Sequence, residues 1–345
     1  MDNNNITSGF QKVSLIIPYK GELFYLKEIF EEIHLWTLQP DEILLINANQ
    51  GNEPNLLDKL LASNKFLNMP IKVLDANNAF PGQSRNLGIS HARYNLIAFL
   101  DSRTKPSHDW LSNGIDIIIS KDISIAWGQT IYLTKTLFEK FILSATYGPS
   151  PLRTLPGTIL KAEIFKSTGL FIENIRAGED GDWFSRVDIH SISSEKNNSY
   201  IYYKGLVGIR FLKLVSKWFR NYYHSSRLPY QRAQKDLYFY FISVFLILLA
   251  FNWNSLSYDP MLDGWNTSLI VYIPNITKYS VLFITSLYFV YRSIYLPIRK
   301  GTKKTFIASG SFIPIFFISM ILDFVKSAAF LIGRTRPLKK DTVQT

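Results

Sequence analysis

Four short apolar runs constrain the N-terminal half of the chain more than any other feature. They are Val13-Ser14-Leu15-Ile16-Ile17-Pro18-Tyr19, Asp41 to Asn47, Ile71 to Leu74 and Asn95 to Asp101. Stretches of helical period separate them, at Leu23 to Leu38, Leu56 to Phe66 and Ser84 to Ala92. Apolar runs of this length, rich in Val, Ile and Leu, read as strands, and the patterns between them as helices. Strands joined through helices pair in parallel. The alternation therefore predicts a sheet covered by helices, with ligands bound outside the carboxyl ends of its strands.

The second half reads differently. At 345 residues the chain has room for one domain of about 200 residues and a further part. Leu237 to Tyr258 carries no charge over 22 positions. As a helix this run reaches about 33 Å, enough for a bilayer core of about 30 Å. Tyr279 to Ile298 is a second candidate span, with Arg292 near one end, where its side chain is expected to snorkel to the headgroups. A third apolar stretch, Thr305 to Ile332, is interrupted by Gly310, Pro314, Asp323 and Lys326.

Charge orders these segments. The formal net charge is +11, and eight of the basic residues lie between Lys204 and Lys235 with no acid among them, directly before the first long apolar run. That placement selects a membrane surface over nucleic acid as the partner. Further basic clusters at Arg299, Lys300, Lys303 and Lys304 and at Arg334, Arg336, Lys339 and Lys340 suit two spans better than three. The third stretch is accordingly expected to be re-entrant or interfacial, with Asp323 and Lys326 one helical turn apart and able to pair. Phe211 to Tyr223 has apolar and basic residues at helical spacing, so it is expected to lie in the interface with Trp218 at headgroup depth.

The expected organisation is a tail at 1–10, an α/β domain at 11–209, a basic amphipathic helix at 210–235, a membrane part at 236–333 and a basic tail at 334–345. The polar start Met1-Asp2-Asn3-Asn4-Asn5 has no secretory pattern, so the α/β domain is expected on the cytoplasmic side. With no cysteine, disulfide frameworks and thiolate chemistry are excluded.

Four features can carry chemistry, and each has a plain structural reading beside it. Pro18 and Tyr19 end the first strand and Asn47 the second, where a nucleotide base would sit; a buried strand stopped by Pro looks the same. Pro81-Gly82-Gln83-Ser84-Arg85-Asn86-Leu87-Gly88 reads as a turn opening a helix, with Ser84 as a cap and Arg85 offering a planar fork to a diphosphate, or as an ordinary surface. Asp101 is released where the apolar strand Phe99-Leu100 ends, as a ligand or as a turn residue. In Gly178-Glu179-Asp180-Gly181-Asp182-Trp183 three acids crowd into four residues; they share a cation or proton, or they start a solvated helix.

In this order and spacing, together with Leu155-Pro156-Gly157, the features resemble the inverting glycosyltransferase family 2, in its membrane-anchored, non-processive form. The resemblance covers about residues 11 to 190. It implies the GT-A fold, a Rossmann-like mixed α/β sheet flanked by helices, here followed by C-terminal membrane helices. It also implies a donor site at Pro18, Tyr19, Asn47, Arg85, Asn86, Asp101 and Arg103, with Asp101 holding Mg²⁺ or Mn²⁺. Asp180 becomes the general base, tuned by Glu179 and Asp182. Pro156 and Gly157 would line the acceptor pocket, and Trp183 either stacks on a sugar or packs in the core.

This chain departs from the family pattern in four places, one of them Tyr202-Tyr203-Lys204-Gly205, where many relatives contribute a His as a further metal ligand. Arg103 stands where a second acid is usual, so Asp101 holds a metal with water and phosphate alone, or Arg103 and Lys105 themselves neutralise the diphosphate. Asn47-Ala48-Asn49-Gln50 replaces an acidic pair. Gln231-Arg232-Ala233-Gln234 lacks the Gln-x-x-Arg-Trp of processive synthases. The expectation is transfer of one sugar from a nucleotide-sugar donor to a lipid-linked or cell-surface glycan, at the cytoplasmic face of a cell inner membrane crossed by a multi-pass anchor. The alternative is a catalytically inactive relative that binds nucleotide sugars or scaffolds glycan assembly. Membrane lipids are partners in both readings, and nucleic acid in neither.

Overall fold

A computed structural model describes residues 12–21, 23–49, 54–63, 66–229, 238–239, 241–248 and 278–335. The chain forms two compact units. The described residues of 12–133 and 151–205 make the first, and those of 134–150 and 206–335 the second.

The first unit is built on an eight-stranded mixed sheet in the order β3-β2-β1-β4-β7-β6-β8-β5. The strands are β1 (Val13–Tyr19), β2 (Glu42–Asn47), β3 (Ile71–Asp75), β4 (Leu96–Phe99), β5 (Thr104–Pro106), β6 (Ile125–Tyr132), β7 (Leu152–Lys161) and β8 (Ser194–Tyr203). The first four pair in parallel, β1 against both β2 and β4, and β2 against β3. The helices between them are α1 (Leu23–Ile33), α2 (Pro54–Leu61) and α3 (Pro81–His91), with α4 (Trp110–Ser120) after β5 and the short α6 (Phe165–Thr168) and α7 (Glu179–Ile189) between β7 and β8. Strand order reverses beside β1, because the chain runs outward through β2 and β3 and then returns to place β4 on the other side of β1. Such a switch point opens a crevice at the strands' carboxyl ends.

The core follows the two-residue period of β1. Val13, Leu15, Ile17 and Tyr19 belong to one buried layer with Leu26, Ile29 and Phe30 of α1 and Trp110 and Leu111 of α4. Ile16 belongs to the opposite layer, with Leu44, Phe99, Phe171, Trp183 and Val187. Each large side chain so buried contributes roughly 1.5–3 kcal/mol. Ser14 shares the second face and donates to Glu42 at 2.6 Å, while Arg93 donates to the same carboxylate from its backbone N–H and Nε. Burial works against the charge of Glu42, but these donors more than offset it and hold its pKa below the ordinary value.

Beyond β4 the sheet turns antiparallel at β7 and β6, and β6 pairs in parallel with β8. Composition hides these strands: β7 contains Arg153, Pro156 and Gly157, and β8 opens on Ser-Glu-Lys-Asn-Asn. Only their neighbours make them strands. The third helix also differs from the sequence expectation. Pro81 stands in its first turn and Phe80 is the N-cap, so Ser84 is a buried helical residue and caps nothing. Gly82 is helical, and a Cβ there would lie 2.2 Å from the Ile172 carbonyl oxygen.

In the second unit α5 (Leu137–Ala145) starts on a capping box in which Thr136 and Glu139 each bond the other's backbone N–H. α8 (Phe211–Ser225) is followed by α9 (Lys278–Val290), which continues through a π-helical segment Tyr291–Tyr295 into Leu296–Arg299. The last helix runs over Lys304–Arg334, bent at Gly310 (φ 87°), with α10 (Phe312–Arg334) as its long arm. Among the described residues it is the one helix long and apolar enough to cross a membrane, with 31 residues. Most of the expected span at 237–258 and the tail from 336 onward lie outside the described residues. Trp218 of α8 lies against Tyr147 and Tyr222, and Lys326 of α10 sits over its ring, so this helix is packed against α10. Arg292 does not snorkel. It is 5% exposed and turned inward, because it pairs with the Asp323 carboxylate on the neighbouring helix.

Because backbone cannot move aside for a new Cβ, Gly82→Ala is expected to cost about 1–3 kcal/mol. Thermal unfolding of the purified chain, followed by tryptophan fluorescence, should show a midpoint lowered by at least about 3 °C.

Candidate functional site

The carboxyl ends of the parallel strands carry a row of polar side chains. Tyr19 ends β1 with its ring buried and its hydroxyl donating to the Gly21 carbonyl at 2.6 Å. Asn47 ends β2, donates to Asp75 at 3.0 Å, and accepts from the backbone and side chain of Asn49. Asn49 in turn accepts from the Gly21 N–H at 2.9 Å. Asp75 was missed in the sequence, although it follows the apolar Ile71 to Leu74 as Asp101 follows Phe99-Leu100. A cleft of about 560 Å³ opens beside it, lined by Asp75, Asn77, Gln83, Asn86, Ser90 and Glu173 among others.

Arg85 is the centre of the arrangement. Helix α3 carries it inside the first unit, where it is 6% exposed, and its guanidinium lies 5.8 Å from the Phe171 ring centroid. Nη1 donates to Glu179 at 2.7 Å, and Nη2 stands 3.4 Å from Asp101. Burial alone would push the Arg85 pKa down, but the charges of Glu179, Asp101 and Asp180 outweigh it and hold it above its ordinary value. Three motifs far apart in the chain thus meet at one cation.

The acids arrive on α7 (Glu179–Ile189), where they favour the positive end of the helix dipole. Its N-cap Gly178 has φ 99°, a left-handed conformation that glycine adopts without strain. Glu179 is buried and faces Arg85. Its pKa is raised to about 7, first by burial and then by the charge of Asp180, against the pull of Arg85. Asp180 is half-buried and accepts from the Gly181 N–H at 2.8 Å. Asp182 points elsewhere, since Arg186 bonds it at 2.9 Å and also donates to the carbonyls of Thr168 and Leu170. Burial raises the Asp182 pKa against the opposing charge of Arg186. This pair ties α7 to the preceding loop.

Asp101 follows β4, and its side chain is 42% exposed. At 3.4 Å its contact with Arg85 is longer than a well-formed hydrogen bond, which leaves the carboxylate free to take another ligand. Arg103 is exposed, 4.7 Å from the Tyr25 ring centroid, and near Gly21 of the loop after β1. Tyr203 lies within reach of both charges. Its phenol is pushed up first by burial and then by Asp101, against Arg103. Arg103, Lys105, Lys204, Tyr25 and Glu28 help line a second cleft of about 160 Å³.

Two expected roles give way to structural ones. Trp183 is fully buried among Trp127, Phe165 and Phe171, and its indole N–H donates to Thr168. It has no free face for a sugar. Asn86 donates to the Phe171 carbonyl and to Glu173 and accepts from the Phe171 N–H, a clamp between α3 and the loop before α7. Pro156 and Gly157 form a β-bulge opposite Gly128, with Gly157 at φ 83°. Pro18 ends β1 half-buried.

Residues 14–174 match the family model Glycosyl transferase family 2. The match takes in every residue expected at a donor site and stops before Glu179, Asp180 and Asp182. An uncharacterized glycosyltransferase of Rickettsia felis is 28% identical over 179 residues, which are 49% of this chain and 29% of that protein. A similar protein of Rickettsia conorii is also 28% identical over the same shares. The chain thus spans less than a third of the length of the curated relatives it matches. Crystal structures of S. aureus TarS 1–349 superpose with low overlap. The one in complex with UDP-GlcNAc has a TM-score of 0.44 at 16% identity, over 58% of this chain and 59% of that one.

Among the described residues no three metal-ligating side chains converge. A divalent ion at Asp101 would have one carboxylate from the protein and take its other ligands from phosphate and water, an arrangement Mg²⁺ commonly adopts.

Glu179 gives this cluster a pH signature. Its folded pKa of about 7 lies above the ordinary value of 4.5, so the folded state binds more protons between those limits. Its contribution to stability is therefore complete at low pH and is lost as pH rises through 7. The melting temperature of Glu179→Gln, relative to wild type, is expected to rise with pH between about 5 and 7 and to level off above.

Proposed function

We propose that the chain is a membrane-associated glycosyltransferase that moves a single sugar, with inversion, from a nucleotide-sugar donor to a lipid-linked or cell-surface glycan. The carrying observation is Arg85, which joins the strand-end carboxylate Asp101 to the acidic cluster of α7. The family match over residues 14–174 and the switch point beside β1 support the donor side of this reading.

Inverting transfer needs charge compensation where the nucleotide diphosphate departs and a base where the acceptor hydroxyl attacks. Arg85 and Arg103 supply positive charge on the departing side, with planar donors suited to phosphate oxygens. Asp101 would hold Mg²⁺ or Mn²⁺, and the ion would add Lewis-acid stabilisation of the leaving diphosphate when bound. Asp180 accepts the acceptor's proton, because Glu179 is committed to Arg85 and Asp182 to Arg186. Glu179 and Asp182 act as positioning residues. Asn47, Asn49 and Asp75 offer the donor's base and ribose a fixed set of hydrogen-bonding groups. Pro156 and Gly157 shape the acceptor side.

The membrane association of the second unit is part of the same proposal. It is supported by the helix Lys304–Arg334, the uncharged run at 237–258 and the basic clusters beside both. A bacterial inner membrane with the first unit on the cytoplasmic side suits that charge pattern.

Detergent-purified chain assayed against a panel of UDP and GDP sugars should turn over at least one of them. Asp180→Asn should lower that turnover by roughly 10²–10⁴-fold with donor affinity within a few-fold of wild type. An unchanged rate rejects Asp180 as the base. In calorimetric titrations Mn²⁺ should tighten donor binding to wild type about tenfold and leave binding to Asp101→Asn unchanged, while Arg103→Gln should weaken binding with or without the metal.

A further inference from the structure

The second unit holds a buried ion cluster that the transferase reading does not use. Asp323 of α10 is 1% exposed. Arg292 meets it through Nε at 2.6 Å and Nη2 at 2.9 Å, and Lys326 through Nζ at 3.2 Å. The hydroxyls of Tyr288 and Tyr238 also donate to it, at 2.9 and 3.3 Å. Four donor groups thus hydrogen-bond a carboxylate with about four lone-pair sites and fill it, while Nε of Arg292 lies against it as a charge contact without a hydrogen-bond partner among the described residues.

Among the described residues, charge is left unbalanced and buried donors are left idle. Two buried cations face one carboxylate. The other acid among the described residues of this unit, Glu139, is taken up by the backbone N–H groups of Lys135, Thr136 and Gly208. The ammonium of Lys326 rests 4.7 Å from the centroid of Trp218, whose own indole N–H is buried without a hydrogen-bond partner among the described residues, as is the hydroxyl of Ser327 on the next position of α10. Burying uncompensated charge and idle donors in an apolar setting is costly unless an acceptor-rich anion joins them.

The source of that anion is indicated by the apolar surroundings. Tyr288, whose hydroxyl is in the cluster, also lines a groove of about 430 Å³ with Phe241, Phe245, Phe316, Met320 and Phe324. Its walls are almost wholly hydrocarbon and aromatic. A ligand with phosphate oxygens at one end and a hydrocarbon chain at the other satisfies both regions at once.

We propose that the second unit binds a phosphate-bearing lipid, with the phosphate held by Lys326, Arg292 and the Trp218 indole N–H, and the chain laid in the groove beside Tyr288. The proposal rests on the membrane reading of this unit and is independent of the transferase reading. The surplus cation is Lys326, because Arg292 and Asp323 already form a two-point pair.

Lys326→Met is therefore the variant of choice, since it leaves that pair intact. Full chain in an uncharged detergent is titrated with short-chain phosphatidic acid, with inorganic phosphate and with phosphatidylcholine of the same chain length, and both proteins are floated with phosphatidylcholine vesicles. Saturable binding of phosphatidic acid at least tenfold tighter than of the other two, weakened at least tenfold in Lys326→Met at an undiminished melting temperature, is the expected result. Unchanged phosphatidic acid binding by the variant, or equal binding of inorganic phosphate, overturns the proposal while flotation leaves the membrane reading standing. Failure of wild type and variant alike to float overturns the membrane reading and the proposal with it. Should Lys326→Met lose its melting transition, Lys326→Gln carries the same comparison.

Discussion

A buried guanidinium cannot be left alone, and the first unit is arranged around that requirement. Arg85 remains charged at any relevant pH, so its burial on α3 demands carboxylates within reach. Glu179 and Asp101 meet that demand from opposite sides of the fold's chain order, one after β7 and one after β4. For both to arrive, α3 must pack on the parallel half of the sheet, β4 must end at the switch point, and the loop before α7 must return to α3. Asn86, the residue after Arg85, fixes that last approach by bonding both backbone groups of Phe171. Removing Glu179 would leave the buried cation short of its closer partner, at a cost of about 3–5 kcal/mol, while removing the part-exposed Asp101 would cost less.

Much of this was legible in the sequence because strand ends and helix starts are marked by local chemistry. β1, β2, β3 and β4 emerge from apolar runs, and Asp101 stands out because an acid follows Phe99-Leu100 directly. The second half of the sheet was not legible. β7 has Pro and Gly at its middle, where a bulge accommodates them, and polar residues open β8; both strands exist because β6 lies between them. Side-chain commitments were also hidden. Nothing in Gly178-Glu179-Asp180-Gly181-Asp182 tells which acid turns toward Arg85 and which toward Arg186, since helical phase alone places 179 and 182 on nearby faces. Trp183 was equally ambiguous, as a stacking ring and a core ring are the same residue until burial is known.

The two units handle buried charge in opposite ways. Around Arg85 carboxylates outnumber the cation, and the excess negative charge is moderated by Glu179, whose pKa lies near 7. Around Asp323 cations outnumber the carboxylate, and two tyrosine hydroxyls add donors to an already crowded acceptor. An acid-rich cluster with one exposed carboxylate suits cations and hydroxyl groups. A donor-rich cluster beside hydrocarbon walls suits an anion with a tail. The same rule, that buried charge must be compensated, thus points to ligands of opposite character in the two places.

The proton of Glu179 links the acid and base demands within the first unit. When it is protonated, Arg85 keeps its full charge with Asp101 as its remaining anionic partner, and Asp180 is freed from a like charge beside it. When it ionises, the repulsion between Glu179 and Asp180 returns, and part of the Arg85 field is drawn toward α7 and away from the strand ends. A diphosphate arriving near Asp101 brings negative charge into the same neighbourhood and favours the protonated form. On the proposed function, donor binding and the protonation of Glu179 would therefore be coupled, since two events that each add to or relieve the same local negative charge cannot be independent. The coupling would be strengthened by one guanidinium serving two carboxylates, because Arg85 faces Glu179 and Asp101 at once.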